Sequence, residues 1–213
     1  MSKIAIIGAS GYVGTALLNE AVKRGHQVSA LVRHPEKIAA NANVTAVKAD
    51  VLDTDGLATL LKGHDLVISA YNPGWQEADI RNIHIKGSKS ITEAVKKAGI
   101  KRLIAVGGAG SLEINGAQLV DSPEFPAEYK EGALGARQAL NDLKTENELD
   151  WSFVSPAILL VPGESTGTFR LGTDSPVFDD KGESKITVGD LAVAILDEAE
   201  QGKHIRQRFT AAY

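Results

Sequence analysis

The chain has 213 residues, 43% of them hydrophobic and 23% charged, which is enough to bury the core of one globular domain. A net charge of −4 with scattered Lys and Arg argues against nucleic acid as the main partner, and the lack of cysteine excludes disulfides, thiolate metal sites and a Cys nucleophile. No apolar run approaches the roughly 18 residues needed to cross a bilayer, and the first strand begins by Lys3 without room for a signal peptide, so a cytoplasmic protein away from membranes is expected.

Short apolar runs predict strands at Lys3–Ile7, Gln27–Val32, Val44–Ala49, Leu66–Ala70, Arg102–Gly107 and Trp151–Ser155. Helical patterns lie between them, near 12–24, 53–62, 76–98 and 131–147. Uninterrupted apolar strands alternating with helices predict an α/β fold, a Rossmann-like doubly wound parallel sheet covered on both faces. After Pro156 the rhythm changes. Residues 162–184 are rich in Gly, Ser, Thr and Asp and contain no clear helix, then Thr187-x-x-Asp190 reads as a capping-box start for "LAVAILDEAEQ", and "QRFTAAY" closes as a strand. The expected organisation is one domain over 1–213, with a core of about 1–155 and a small C-terminal lobe of about 156–213 above the C-terminal strand ends. In such sheets ligands sit at that edge.

The stretch "IIGASGYVGTALL" places Gly8, Gly11 and Gly14 between the first strand and the first helix. Gly8 permits a tight turn, Gly11 lets a pyrophosphate approach the backbone, and Gly14 lets the helix pack closely on the sheet. The free N–H groups and dipole of the helix start then attract phosphate, so the missing side chains make room for a dinucleotide. The spacing G-x-x-G-x-x-G resembles the extended and atypical short-chain dehydrogenase/reductases. After the second strand, where NAD enzymes commonly carry an acid for the ribose 2′-OH, this chain reads "LVRHPEK". Arg33 there suits a 2′-phosphate and favours NADP(H), with NAD(H) still open; the alternative is a solvated surface Arg. Ser69, Ala70 and Tyr71, after the fourth strand, are expected to line the middle of the cofactor. The resemblance puts Asp50 and Val51 over the adenine, although Asp50 has helix capping as an alternative.

Further segments carry a closer resemblance: "RLIAVGGAGSLEI" (102–114), "DWSFVSPAILLVPGESTGTFRLG" (150–172), "GESKITVGDLAVAILDE" (182–198) and "HIRQRFTAAY" (204–213). Together they look like the NAD(P)H-binding family described as NADH-flavin reductases, with biliverdin reductase B and the NmrA-like regulators as more distant relatives. That resemblance implies pyrophosphate contacts from Gly8, Ser10, Gly11, Tyr12 and Val13. It also implies Gly107 and Gly108 beside the nicotinamide ribose, and Ser155 and Pro156 against the nicotinamide.

The acid apparatus of most short-chain dehydrogenases, Ser…Tyr-x-x-x-Lys, is missing. Four residues after Tyr129 stands Ala133, Lys130 points elsewhere on a helix, and the fifth strand ends in Gly107-Gly108 where the Ser belongs. Reduction of a ketone needs that acid. Reduction of a flavin or quinone needs chiefly two rings stacked at reacting distance, so such an acceptor, taken as substrate and not as a tightly bound cofactor, fits better. The main rival is an NmrA-like redox sensor that binds the dinucleotide without turnover and acts on a protein partner. Ser111 and Tyr129 are the candidate catalytic contacts, against capping and packing roles respectively. Arg170 is a candidate for an anionic substrate group, against a surface role. Trp75 either roofs the pocket or anchors its loop. The five histidines show no metal-ligand spacing, so no metal is expected.

Overall fold

In the computed structural model, which describes residues 1–213, the six apolar runs form parallel strands whose ends lie within one residue of expectation. In chain order the elements are β1 (Lys3–Ile7), α1 (Tyr12–Lys23), β2 (Gln27–Val32), β3 (Val44–Lys48), α2 (Thr54–Leu61), β4 (Leu66–Ser69), α3 (Ile80–Lys97) and β5 (Arg102–Val106). They continue with a two-residue hairpin, β6 (Glu113–Ile114) and β7 (Ala117–Gln118), then α4 (Ala127–Lys144) and β8 (Asp150–Pro156). The chain finishes with β9 (Leu159–Val161), β10 (Arg170–Gly172), β11 (Lys185–Thr187), α5 (Val188–Gln201) and β12 (Gln207–Ala212).

The eight-stranded sheet has the order β10-β12-β8-β5-β4-β1-β2-β3, parallel except where β10 runs antiparallel to β12. The chain reverses direction of travel between β1 and β4, and a crevice opens there at the C-terminal ends. Side chains still alternate within the buried strands. Ile4 and Ile6 of β1 pack with α1 and α5, whereas Ala5 and Ile7 pack with α2, α3 and α4. Burial on both faces is why these strands read as continuous apolar runs.

Helix boundaries depart from the periodicity where loop chemistry intervenes. Helix α3 starts at Ile80 and not near 76, because Pro73 and Gly74 (φ +122°) hold residues 72–79 out of helical geometry. Helix α4 begins four residues before its expected start, just after Pro126, whose ring presets φ at −58°. Thr187 does cap α5, accepting the Asp190 N–H at 3.2 Å, but only half of the expected box forms. The Asp190 carboxylate turns to the N–H groups of Thr166 and Gly167 (both 2.8 Å) and to the Tyr213 hydroxyl (2.7 Å). It thereby ties the 162–184 segment to the sheet.

At the opposite, N-terminal edge, Glu198 of α5 is buried and accepts from Arg102 (2.6 Å), Ser152 (2.8 Å) and the His204 ring and N–H (2.7 and 3.0 Å). Burial alone would raise its pKa; the hydrogen bonds from His204 and Ser152 and the charge of Arg102 outweigh that and hold it below the usual carboxylate range. A carboxylate with a depressed folded pKa contributes stability at pH values above its unfolded pKa, and that contribution drains as pH falls through the folded value. Glu198→Gln leaves Arg102 without its anion and should cost about 3 kcal/mol in urea unfolding at pH 7. The gap between variant and parent should narrow below about pH 4; a gap independent of pH would contradict this account.

Candidate active site

The glycine turn is built by close approach. Gly8 adopts φ +79°, donates its N–H to Leu31 at 2.9 Å, and stands so near β4 that a β-carbon would lie 2.7 Å from the Ala70 carbonyl oxygen. At Gly14 a β-carbon would overlap the Gly8 carbonyl, so α1 can pack here only with glycine. Gly11 differs: its nearest neighbour is the Gly8 oxygen at 3.3 Å, and otherwise its position faces open space. It is also the N-cap of α1 and offers no side-chain cap, while the first turn carries no acid. The N–H groups of Tyr12, Val13 and Gly14 therefore have no protein partner and add their partial charges to the helix dipole.

The other expected residues gather along the same edge. Arg33 follows β2, is exposed, and makes one long bond to the Pro73 carbonyl at 3.4 Å. Asp50 follows β3; its carboxylate accepts the Leu52 N–H at 2.9 Å, and the cap of α2 is Asp53, so the capping alternative for Asp50 is corrected to a local turn. Val51 packs at the margin of the core. Ser10 and Tyr12 are exposed at the turn, and Val13 is half-buried. Ser69 and Ala70 end β4 beneath the turn, but the Tyr71 ring leaves the edge. It lies where a side chain at Gly87 would be, 5.8 Å edge-on from His84, with its hydroxyl on the Ile83 carbonyl (3.3 Å). Burial raises the Tyr71 pKa, while Arg33 and Asp50 act on its hydroxyl with opposite sign.

Gly108 faces open space after β5, whereas a β-carbon at Gly107 would collide with the Phe153 ring. The absence of a side chain at Gly107 thus serves packing. Ser155 and Pro156 end β8 fully inside the protein, and the Ser155 hydroxyl has no hydrogen-bond partner.

Two expected substrate contacts are corrected. Ser111 is 2% exposed, and its hydroxyl and carbonyl receive the Arg208 guanidinium at 3.1 and 2.6 Å. Arg208, itself buried, also holds Asp174 at 2.6 Å, so this constellation fastens the loop after β5 to the C-terminal segment. Arg170 donates to the carbonyls of Phe178 and Tyr213 and so braces the same segment from its edge. Neither role follows from a local motif, since Ser111 meets a residue 97 positions away and Arg170 joins Phe178, 8 positions on, to Tyr213, 43 positions on.

Tyr129 is placed differently. It is 47% exposed on the first turn of α4 and meets Trp75, 54% exposed, edge to face at 5.2 Å. The Trp75 ring reaches α4 because Gly132 presents no side chain there. Two half-exposed aromatics from separate elements, the loop after β4 and the first turn of α4, therefore meet.

A model of NAD(P)H-binding proteins matches residues 8–199, most of the chain. The chain belongs to the NAD(P)H-binding family. A candidate epimerase from Bacteroides thetaiotaomicron is 47% identical, with a TM-score of 0.93 over 100% of this chain and 97% of that one. A candidate exported protein from Burkholderia pseudomallei is also 47% identical, with a TM-score of 0.90 over 100% of both chains. A candidate NADH-flavin reductase from Streptococcus pneumoniae is 36% identical, with a TM-score of 0.87 over 100% and 99%. The likeness spans the whole Rossmann-like chain, and no helix is long and apolar enough to cross a membrane.

The glycine turn fits the family's cofactor. The three free N–H groups suit a pyrophosphate, and the open face of Gly11 is a cradle that any side chain would fill. Gly11→Ala should therefore change stability by less than about 1 kcal/mol, since φ −78° suits alanine, yet weaken NADPH at least about tenfold in calorimetry. Gly14→Ala should instead cost on the order of 1–3 kcal/mol in unfolding. Equal effects of the two on stability would contradict this division of roles.

Proposed function

We propose that this member of the NAD(P)H-binding family is an NADPH-preferring oxidoreductase that reduces a flat flavin or quinonoid acceptor in the cytoplasm. The carrying observation is the Trp75–Tyr129 pair between the loop after β4 and the start of α4, which offers aromatic surface on which a planar acceptor stacks. When bound, the nicotinamide supplies a hydride, and the reduced acceptor takes its proton from water. The chain's own residues bind and orient. The turn at Gly8, Gly11 and Gly14 holds the pyrophosphate, with Ser10, Tyr12 and Val13 beside it, and the exposed guanidinium of Arg33 takes the 2′-phosphate. Asp50, Val51, Ser69 and Ala70 flank the adenosine half. Gly108, Ser155 and Pro156 border the nicotinamide end, where the bare Gly108 leaves room for ring approach.

The absence of a proton donor agrees with such an acceptor. Position 133 is alanine, four residues after Tyr129, so no lysine stands one turn on to lower the tyrosine pKa. The likeness to a candidate NADH-flavin reductase over the full chain points the same way.

The deciding assay follows NADPH oxidation at 340 nm with FMN, FAD, riboflavin and a quinone panel. Turnover should survive Tyr129→Phe, which keeps the ring, and fall about tenfold in kcat/KM with Trp75→Ala, a loss of about 1.4 kcal/mol. Arg33→Ala should weaken NADPH by roughly tenfold or more with little change for NADH, and equal loss for both would remove the 2′-phosphate assignment. Tight NADPH binding with no turnover on any acceptor would replace the reductase by a redox sensor that acts on a protein partner.

A further inference from the structure

Between α3 and α4 lies one cavity of about 350 Å³, within the size range of small-molecule pockets. Its upper end is at the cofactor edge, where Ser69 and Gly107 line it at the ends of β4 and β5. The edge-on rings of Tyr71 and His84, 5.8 Å apart, stand on its α3 side. Its far end is at Thr145 and Glu146, just past α4. Leu103, Ala105 and Phe153 of the sheet form the floor, and Ile91, Ala136 and Ala139 the walls. Four residues of strand from Gly107 back to Leu103 span about 13 Å, and nine residues of helix from Ala136 to Thr145 span about 14 Å. The cavity is therefore elongated and begins where a bound dinucleotide would lie. Ala105 belongs to a central strand yet is only half-buried, because the small residues Ser88, Thr92, Ala136 and Ala139 put no bulk over it.

The lining selects what can enter. Its middle is apolar, and the cations near the far mouth are already paired. Lys89 lies 3.7 Å from Asp142, and Lys96 pairs with Glu93 (2.7 Å) and Glu146 (3.1 Å). Asp142, Glu93 and Glu146 outnumber those two ammonium groups, so a phosphate would meet repulsion there and no free donor of positive charge. A hydrocarbon chain meets neither obstacle, since it exchanges water for Leu103, Phe153 and Ile91. The two acceptor classes differ in this respect. The side chain of a flavin is polyhydroxylated and ends, in FMN and FAD, in phosphate, whereas that of a quinone can be pure hydrocarbon.

We infer that the acceptor is a quinone with a hydrocarbon tail, its ring at the cofactor edge and its tail lying between α3 and α4. The place of the ring rests on the reductase reading above; the tail site rests on the cavity alone. In turnover the quinone gains a hydride from the reduced nicotinamide and a proton from water, and leaves as the hydroquinone with its tail unchanged. Each methylene withdrawn from water strengthens binding by up to about fourfold, so partial entry of the tail already gives an affinity gain of about tenfold.

The test compares three probes on the protein loaded with NADP⁺: decylubiquinone, the same dimethoxy-methyl-benzoquinone without its tail, and FMN. Dissociation constants come from quenching of tryptophan fluorescence. Decylubiquinone should bind at least about tenfold tighter than the tailless quinone. Ala139→Phe fills the cavity and should bring that ratio to within twofold of unity. NADPH affinity within twofold of the parent reports that the variant folds; if Ala139→Phe fails that control, Ala136→Leu fills the same space. No gain from the tail, a gain that survives the filled cavity, or FMN binding that the filled cavity alone abolishes would each overturn the assignment. Oxidised cofactor allows no turnover, so these readouts are separate from the reductase reading, which is judged by NADPH oxidation with the tailless quinone. Tail-dependent binding without any turnover would keep the tail site and remove the reductase.

Discussion

The close approach of Gly14 to the Gly8 carbonyl governs the crevice. With no side chain between them, α1 begins directly on the turn out of β1, and its first N–H groups open onto the C-terminal edge instead of being capped. The same turn is fixed on both flanks, by the Gly8 N–H on β2 and by contact with the Ala70 carbonyl beyond β4. It therefore locks together the strands on either side of the point where the sheet changes direction. The residues along that edge, from Arg33 to Gly108, inherit their positions from those strands.

A second theme is the use of buried carboxylates at both ends of α5. Asp190, in the first turn, gathers Thr166, Gly167 and Tyr213 at the crevice edge. Glu198, two turns on, gathers Arg102, Ser152 and His204 at the opposite edge. Both are held ionised because hydrogen bonds outweigh the cost of burial. One helix thus fastens the loop-rich segment at one end and the starts of β5 and β8 at the other. Arg208 adds a third fastening through Ser111 and Asp174.

What could be read from the sequence follows from the range of the interactions involved. The parallel strands and the glycine turn are local: apolar runs bury on two faces, and a backbone turn either tolerates a side chain or does not. The positions along the crevice edge follow once the strand ends are known. The roles of Ser111 and Arg170 were not legible, because each is decided by a partner far away in the chain. Tyr71 illustrates the same limit on a smaller scale. Its backbone lies where the pattern places it, but its ring turns onto α3 into the gap left at Gly87. Nor does any pattern in α3 or α4 announce a cavity, since Ala136 and Ala139 would equally suit helices packed tight against each other.

The place of β12 has a consequence for how the molecule is made. It sits between β8 and β10 and is the only strand to which β10 pairs, although it is the last strand of the chain. Until residues 207–212 arrive, β8 presents an unpaired edge with Trp151, Phe153 and Val154 along it. A ribosome-bound chain that has finished the crevice would still carry an open apolar strand, able to pair with another unfinished copy. The interval between β8 and β12 is thus the stretch of synthesis in which a chaperone would matter most.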